Sequence, residues 1–335
     1  MSQQRFDPRL LHAHLAPIAP LLGQDGITEL VVNKPGEVAV ESKGGWEWHD
    51  VPELTGTGLD NLGRLIANST NQKLDAQRPL VSAVLPGGER VQVVAPPAVE
   101  AGHYSLTIRK PSLVDLSMGD LEKGGLFASV TKPGEQAAPM DKELRELYGA
   151  GEWSAFLKLA VVARKNILIS GATGSGKTTL SKALIAHIPK EERLLTIEDT
   201  RELKAPHRNI VHMLYSKGGQ GKAALSAKEL LEASLRMRPD RILLQELRDG
   251  TAFYYLRNVN SGHPGSITTV HADSASLAFE QLTLLVKESE GGSDLARDDI
   301  RSLLRLLVDV VVQCKKHDGQ FMITEIWYGG AEQGQ

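Results

Sequence analysis

The feature that most constrains the fold is a glycine-rich run, Gly171 to Thr178, between an apolar strand candidate, Ile167 to Ser170, and a helical segment, Thr179 to His187. The run fits the P-loop pattern G-x-x-x-x-G-K-[ST], and both flanks are those that the motif requires. Glycines let backbone N–H groups turn inward around phosphates, while the helix N-terminus adds a positive dipole. The run therefore predicts a bound nucleotide, held by Gly171, Ala172, Thr173, Gly174, Ser175, Gly176, Lys177, Thr178 and Thr179.

Candidate residues for hydrolysis follow from the same motif and from two strand ends. Lys177 is expected to reach the β and γ phosphates, and Thr178 to ligate Mg²⁺. Glu246 follows the apolar run 242–244, and if that strand lies beside the P-loop strand, Glu246 arrives near the γ phosphate. Glu198 also ends a strand candidate, at the carboxyl edge where open α/β sheets bind ligands. Either carboxylate could complete the magnesium shell or activate water, so both are candidates.

The order of strand and helix patterns predicts the fold class. From Asn166 onward the patterns alternate regularly, which is typical of a parallel sheet covered on both faces, so the predicted class is α/β. Ser226 with Glu229 three residues later forms a capping box, which predicts a helix over 226–237. The strand candidates are Ile167–Ser170, Leu194–Glu198, Ile210–Leu214, Arg241–Leu244 and Ser266–Val270.

Chain length and turn residues predict two domains. A chain of 335 residues has room for two domains of about 150 residues each. Residues 1–110 predict a smaller, mixed α+β domain, with strand candidates and one helix punctuated by Pro-Gly turns. Clusters of proline and glycine predict a linker over 111–140, and 141–335 then form the P-loop domain. In the first domain the strand candidates are 27–32, 37–41, 90–95 and 104–109, and the helix is 59–74.

Composition excludes several classes of protein. The single cysteine, Cys314, excludes an intrachain disulfide and a zinc site built from several cysteines, and its valine neighbours predict a buried thiol. Lysine and arginine number 38 against 41 aspartate and glutamate, a net charge of −3, so no stable nucleic-acid binding is expected. The most apolar stretch, 303–312, is interrupted by Arg305 and Asp309 and is too short to span a bilayer.

Four ordered motifs resemble the secretion ATPase superfamily, and within it the traffic ATPases of bacterial type IV secretion and conjugation systems. The N-terminal pattern agrees with that family, so the resemblance covers nearly the whole chain. It rests on Gly171 to Thr178, the acidic box Thr196 to Asp199, Leu235 to Arg248, the histidine box Gly262 to Ala272, and three N-terminal segments, Ile27 to Gly36, Leu85 to Arg90 and Thr107 to Pro111.

The resemblance implies a RecA-like P-loop domain and a homohexameric ring that hydrolyses ATP with Mg²⁺. It implies that the nucleotide lies between the two domains, so that Arg109, and with it Arg90, meets the phosphates from the N-terminal domain. His271, which by itself is an isolated histidine without the companions of a metal site, becomes a γ-phosphate sensor. One arginine of a second group could act across a subunit boundary, and the sequence does not choose among Arg236, Arg238, Arg241 and Arg248.

The family also implies a cellular role. The chain is expected to be cytoplasmic, associated peripherally with the inner-membrane face of a secretion machine, and to contact other cytoplasmic ATPases and inner-membrane subunits. Its hydrolysis would power pilus assembly or substrate translocation. One departure is Gln245, where the family commonly has glycine before the acid at Glu246. Whether the linker allows a domain swap, and whether the cargo is DNA, protein or pilin, stays open.

Three alternative functions remain at this point. The first is a type II secretion or pilus-motor ATPase of the same superfamily, although a single cysteine excludes the members that carry a four-cysteine zinc insertion. The second is a RecA-like DNA translocase, against which the even charge argues. The third is a nucleotide-gated scaffold that binds ATP without useful turnover.

Overall fold

The N-terminal part of the chain forms one six-stranded antiparallel sheet. The structure is a computed structural model, and it describes residues 7–111, 116–130, 139–216, 223–248, 250–260 and 262–332. The strand order is β3-β2-β1-β6-β5-β4. The elements are helices α1 (Pro8–Leu15), α2 (Ala19–Leu22) and α3 (Gly56–Ser69), and strands β1 (Glu29–Val32), β2 (Glu37–Ser42), β3 (Gly45–Asp50), β4 (Leu80–Val84), β5 (Arg90–Val94) and β6 (Ser105–Arg109).

Helix α3 closes one face of this sheet. The Thr55 hydroxyl accepts a hydrogen bond from Gly58 N at 3.0 Å, which caps the helix at its first turn. Leu59, Leu62 and Ile66 recur on one side of the helix and are buried against the strands. The four predicted strands and the predicted helix of this region are confirmed, with shifts at their ends, while β3 and β4 were not predicted.

The C-terminal part builds a mostly parallel sheet with helices on both faces, in which the last strand pairs antiparallel with the strand before it. Its strands are β7 (Ile167–Gly171), β8 (Leu194–Glu198), β9 (Ile210–Leu214), β10 (Arg241–Leu244), β11 (Ile267–Val270), β12 (Val310–His317) and β13 (Gln320–Tyr328). The helices from residue 116 onward are α4 (Met118–Lys123), α5 (Pro139–Ala150), α6 (Trp153–Val162), α7 (Lys177–Ile185), α8 (Ala227–Ser234), α9 (Thr251–Asn260), α10 (Ala275–Lys287), α11 (Arg297–Leu307) and α12 (Gly329–Glu332).

These seven strands form one continuous layer. β10-β8-β9 and β11-β7-β12-β13 are hydrogen-bonded groups, and a parallel bridge between Glu246 and Thr269 joins them. β10 does not lie beside the P-loop strand β7, the condition under which Glu246 was placed near the γ phosphate, because β11 lies between them. The order of parallel strands is set by long-range pairing, here Ile267 with Ile167, which no local pattern reveals.

Alternate side chains of the central strands point into two different cores. In β7, Ile167 and Ile169 join the core on one face, whereas Leu168 joins the core on the other. Because both faces are covered, all five residues of β7 are buried, as the continuous apolar runs predicted. The five predicted strands of this region, the capped helix α8 and the α/β fold class are confirmed, and Cys314 is buried.

The domain limits at residues 110 and 140 stay a prediction. Part of the predicted linker, 112–115 and 131–138, lies outside the described residues. Within the described part, α4 covers six residues and is followed by exposed apolar side chains at Leu126, Phe127 and Val130.

A buried arginine connects the two sheets. Arg193 precedes β8 and is fully buried, and its Nη1 donates to the Oδ1 atoms of Asn33 at 2.8 Å and Asn209 at 2.5 Å. Its Nε donates to the Met237 carbonyl at 2.9 Å. Burial lowers the pKa of Arg193 to about 9, so the guanidinium stays charged at neutral pH. A charge without solvent must be fully hydrogen-bonded, so this contact fixes the N-terminal sheet against the amino ends of the parallel strands.

Two tryptophans of β3 pack on arginines at the same junction. The Arg208 guanidinium lies 4.2 Å from the ring centroid of Trp48, and that of Arg238 lies 5.5 Å from Trp46. Arg238 also pairs with Glu41. Planar guanidinium groups stack well on indole rings, which explains why aromatic residues occupy a partly exposed strand.

Glu29 gives this junction a pH dependence. Burial raises the pKa of Glu29 to about 7, from an ordinary value of 4.5. Between these values the folded chain holds a proton that the unfolded chain has released, so the free energy of unfolding falls as the pH rises. We expect Glu29→Gln to remove this penalty. Its gain over the wild type in urea unfolding should be near zero at pH 4 and about 3 kcal/mol at pH 8.

The exposed Glu47→Gln variant of β3, in the same sheet, is the matched control, and it should show no such pH-dependent gain. An equal gain for Glu29→Gln at both pH values would contradict the assignment.

Candidate active site

The glycine-rich run forms a tight loop between β7 and α7. Gly174 and Gly176 have φ angles of 75° and 91°, in the left-handed region that favours glycine. A Cβ atom at Gly171 would lie 2.4 Å from Ser175 Oγ and 2.5 Å from the Cys314 carbonyl oxygen, so only glycine fits there. The loop therefore needs its glycines, and it presents the first N–H groups of α7 at the carboxyl edge of the sheet.

Lys177 is held inside the loop that precedes it. The residue is buried, and its Nζ donates to the carbonyl oxygens of Gly171 at 2.6 Å and Ala172 at 2.9 Å. Burial lowers the pKa of Lys177. The ammonium group thus points back across the cradle, where it is positioned for a phosphate.

His271 connects Lys177 to Glu246. Lys177 Nζ lies 3.4 Å from His271 Nδ1, and His271 Nε2 lies 3.0 Å from Glu246 Oε1. An ammonium group only donates, so Nδ1 accepts and Nε2 carries the proton that is donated to the carboxylate. The histidine box and the acid after β10 therefore meet at the loop, even though β11 separates β10 from β7.

Arg248 holds Glu246 in its ionised form. Its Nη2 donates to Glu246 Oε2 at 2.5 Å, and its Nη1 donates to Asp199 Oδ2 at 3.3 Å. Burial alone would raise the pKa of Glu246, but the hydrogen bond and charge of Arg248 outweigh it, with help from nearby cations, and the pKa falls. Glu246 is therefore a carboxylate at neutral pH, able to accept a hydrogen bond from water.

Glu198 is occupied by the loop that follows it, by Thr196 of its own strand and by His212 of the neighbouring strand β9. It is fully buried and accepts hydrogen bonds from Thr196 Oγ1 and from the backbone N–H groups of Glu202 and Leu203, each at 2.7 Å. His212 Nδ1 lies 3.3 Å from its Oε1. Burial would raise the pKa of Glu198, but these hydrogen bonds lower it. Among the described residues, no hydrogen bond or ion pair joins Glu198 to Lys177.

We expect Glu198→Gln to lower the free energy of unfolding by about 2 kcal/mol, because charge-assisted hydrogen bonds to two backbone N–H groups weaken. Thermal unfolding beside steady-state ATP turnover would measure this. Turnover per folded molecule should stay within about threefold, which is small beside the loss expected of a catalytic base. Lost turnover without lower stability would instead place Glu198 in the chemistry.

The structure places Arg90 and Arg109 on the N-terminal sheet, facing each other across β5 and β6. Both are exposed, and Arg109 Nε lies 3.4 Å from Glu29 Oε1. No hydrogen bond or ion pair of the described residues joins either arginine to the loop at 171–178. Within one chain, therefore, the structure does not bring these two arginines together with Lys177.

The second group of arginines does not form a cluster. Arg241 is fully buried at the amino end of β10, where it pairs with Glu192 through Nε at 2.7 Å and Nη2 at 2.9 Å. Arg238 belongs to the junction with Trp46, and Arg236 is exposed at the end of α8. Arg248 alone of the four contacts Glu246, so the expectation of a grouped positive patch is wrong. Arg241 and Arg248 are separated because they stand at opposite ends of β10.

The loop and its neighbours fit a nucleotide with a divalent cation. Ser175 Oγ is buried without a hydrogen-bond partner, a polar atom that a phosphate oxygen would satisfy. Thr178 and Glu246 offer the oxygen ligands that Mg²⁺ prefers. Among the residues that the structure describes, no group of three or more His, Cys, Asp or Glu side chains could hold a metal by itself.

Sequence reasoning missed Phe321, which lies against the loop. A Cβ atom at Gly176 would lie 3.1 Å from the Phe321 ring. The signal was weak, because Phe321 is far from Gly176 along the chain and stands in a strand with no motif. The one local feature that could have drawn attention to Phe321 is that it begins a run of three apolar residues, 321–323, and all three are exposed in the structure.

The fold and the loop define a RecA-like P-loop α/β protein. Residues 140–329 match the family described as type II/IV secretion system protein. The chain therefore belongs to the type II/IV secretion system protein family.

Individual relatives agree with this assignment. The type IV secretion system protein VirB11 of Bartonella henselae is 52% identical over 325 residues, which cover 94% of this chain and 91% of that protein. VirB11 of Brucella suis is 44% identical over 321 residues, or 94% and 89% of the two chains. The crystal structure of the VirB11 ATPase from the Brucella suis type IV secretion system, in complex with sulphate, superposes with a TM-score of 0.91 at 43% identity and covers 98% of both chains. The resemblance to traffic ATPases is confirmed.

Proposed function

We propose that this chain is a magnesium-dependent ATPase that works as a homohexamer in a type IV secretion system, where hydrolysis powers pilus assembly or substrate translocation. Its similarity to the VirB11 proteins, and to the VirB11 ATPase of the Brucella suis type IV secretion system, supports the secretion role. The observation that carries the proposal is the contact series from Lys177 through His271 to Glu246 beside the loop.

Each residue of this series has a distinct task. Lys177 exchanges its contacts with the Gly171 and Ala172 carbonyls for β and γ phosphate oxygens. His271, near both the cation and the acid, stands where it can sense the γ phosphate. Glu246 accepts a hydrogen bond from water and orients it for in-line attack. We therefore assign water activation to Glu246 rather than to Glu198, whose oxygens are engaged elsewhere.

Thr178 and Glu246 are the residues that would hold Mg²⁺. Bound there with ATP, the cation would neutralise charge that develops on the phosphates. Glu198 is less suited to this role, because its hydrogen bonds to Thr196 and to two backbone N–H groups would have to break first.

The exposed arginines of the N-terminal sheet support an assembly rather than an isolated chain. Arg90 and Arg109 lie side by side at the ends of β5 and β6, and the only described ion pair of Arg109 is with Glu29. In a ring they would approach the phosphates from the N-terminal domain, with 111–140 as the linker between the moving parts. We place the ring in the cytoplasm, at the inner-membrane face of the machine, in contact with other cytoplasmic ATPases and inner-membrane subunits. Among the described residues, no helix has the length and apolar character needed to cross a bilayer.

ATP turnover by the purified chain, with Mg²⁺ or with a chelator, tests the enzymatic part, and light scattering after size exclusion tests the assembly. We expect slow turnover that requires Mg²⁺ and a mass near six chains when nucleotide is present. Nucleotide binding without turnover, or a monomer under all conditions, would contradict the proposal and favour a scaffold. Strong stimulation by DNA would favour a translocase instead.

A further inference from the structure

A row of polar side chains crosses the parallel sheet beside the residues that follow β11. Ser170 of β7 pairs in register with the last residue of β11 on one side and with Gln313 of β12 on the other, and Gln313 pairs with Glu325 of β13. Residues that pair directly point to the same face of a sheet, so these three side chains stand next to one another. His271 comes immediately after β11, and the turn at 272–275 then leads into α10.

The row holds this turn through hydrogen bonds. Ser170 Oγ donates to the Ala272 carbonyl oxygen at 3.2 Å, and Gln313 Nε2 donates to the same oxygen at 3.1 Å. The carboxylate on β13 accepts a hydrogen bond from the Ala275 N–H at 2.9 Å. The backbone directly after the histidine is therefore fixed by side chains from two neighbouring strands, and the start of α10 by a third.

The His271 ring depends on this support because packing does not hold it. Its side chain is 45% exposed, and its two nitrogens contact Lys177 Nζ at 3.4 Å and Glu246 Oε1 at 3.0 Å. In the proposed function both of these groups act on the nucleotide, so they cannot also fix the ring. The position of the ring is then set by the backbone that carries it.

Gln313 is an unexpected residue at its position. It is 1% exposed and stands between Val312 and Cys314, in a stretch of β12 whose other buried residues are apolar. Its Oε1 is buried and has no hydrogen-bond partner in the described part of the chain. Burying an amide oxygen without a partner costs free energy that an apolar side chain would not lose. Stability therefore does not explain an amide here, whereas the bond from Nε2 to the turn does.

We propose that Gln313 is a positioning residue, whose hydrogen bond to the Ala272 carbonyl oxygen holds His271 at the γ-phosphate end of the site. This rests on the proposed function, in which His271 senses the γ phosphate. Ser170 shares the bond and leads directly into the phosphate loop, so the row joins the histidine to the loop. Gln313 therefore acts on ligands that carry a γ phosphate, and binding of ADP does not depend on it.

Gln313→Met tests this role, because methionine keeps the length of the side chain and removes its N–H donors. In calorimetric titration the non-hydrolysable analogue β,γ-imido-ATP should bind roughly three- to tenfold more weakly than to the wild type, the loss expected for one hydrogen bond. ADP binding should stay within about twofold, and kcat for ATP should fall about tenfold with little change in KM. His271→Ala should weaken the analogue selectively as well, and adding Gln313→Met to it should cause no further loss.

Two further variants complete the test. Gln92→Met is the matched control, since Gln92 is a buried strand glutamine of the N-terminal sheet and its Nε2 donates to the Val93 carbonyl oxygen. It should leave both affinities unchanged. Ser170→Ala removes the other donor to the Ala272 carbonyl and tests the row if Gln313→Met does not fold. It should again weaken binding of the analogue and not of ADP.

Three results would overturn the role of Gln313. The first is unchanged binding of the analogue in Gln313→Met. The second is an equal loss of ADP binding, which would mean that Gln313 supports the loop as a whole. The third is a further loss when Gln313→Met is added to His271→Ala, which would mean that it does not act through the histidine. Failure of the proposed function has a different signature, since the wild type then does not turn ATP over while the two affinities still decide the role of Gln313.

Discussion

Replacing Glu246 by glutamine is expected to slow ATP turnover by about 10²- to 10⁴-fold, the range that a positioned general base contributes. Glutamine keeps the shape of the side chain and one acceptor oxygen, which can serve Arg248 or His271 but not both. It loses the negative charge that orients water and draws a proton from it. Nucleotide affinity should therefore change little, and steady-state turnover should be compared with calorimetric binding on the same samples.

A matched control exists for the Glu246 variant. Glu280 on α10 also pairs with an arginine, Arg301, at 2.7 Å, but no described contact joins it to the loop. Glu280→Gln should turn over ATP at the wild-type rate. If Glu246→Gln also stayed within about threefold of the wild type, the assignment of Glu246 would fail, and Asp199, the other carboxylate on Arg248, would become the next candidate.

Replacing Lys177 by alanine is expected to abolish turnover, with a loss of at least about 10³-fold, and to weaken nucleotide binding as well. The ammonium group is the cation that the loop holds ready for the phosphates, and a charged donor aimed at developing charge is among the largest contributions to catalysis. Turnover and binding should both be measured, because the variant also loses the hydrogen bonds to Gly171 and Ala172. Thermal unfolding then distinguishes the two causes: a lower midpoint indicates a loosened loop, and an unchanged midpoint indicates that the loss is due to the missing charge.

Lys190→Ala serves as the control for charge alone, since this exposed lysine stands after α7 and away from the loop. It should leave turnover and affinity unchanged. A Lys177→Ala variant that still hydrolyses ATP at a tenth of the wild-type rate would contradict the proposed role of the loop.

The parallel strands could be predicted because each is a continuous apolar run with both faces buried. β3 was missed although Trp46 and Trp48 alternate with polar residues, as in a half-buried strand, because the segment is short and its two apolar side chains pack on arginines far along the chain. The local pattern of β3 is that of a strand, whereas the arginine partners of its tryptophans could not be predicted from it.

The part of the candidate site whose conformation is set by consecutive residues, the loop at Gly171–Thr178, could be predicted from the sequence. Glu246 was singled out because it follows an apolar strand, and it contacts Lys177 through His271 although that strand is not adjacent to β7. Arg193 and Arg241 were not recognised as buried, because their carboxylate and amide partners lie between 16 and 160 residues away. Long-range charge pairing has no local signature.

The parallel sheet separates its two kinds of charged residue. Arg193 and Arg241 stand at the amino ends of β8 and β10, whereas Lys177, Glu246 and Arg248 gather at the carboxyl ends. The five residue steps from Arg241 to Glu246, at about 3.3 Å each, keep these sets roughly 16 Å apart, beyond the distance at which mutational effects usually couple. Substitutions at the two edges should therefore be additive, so that the junction with the N-terminal sheet can diversify, or be engineered, independently of the phosphate chemistry.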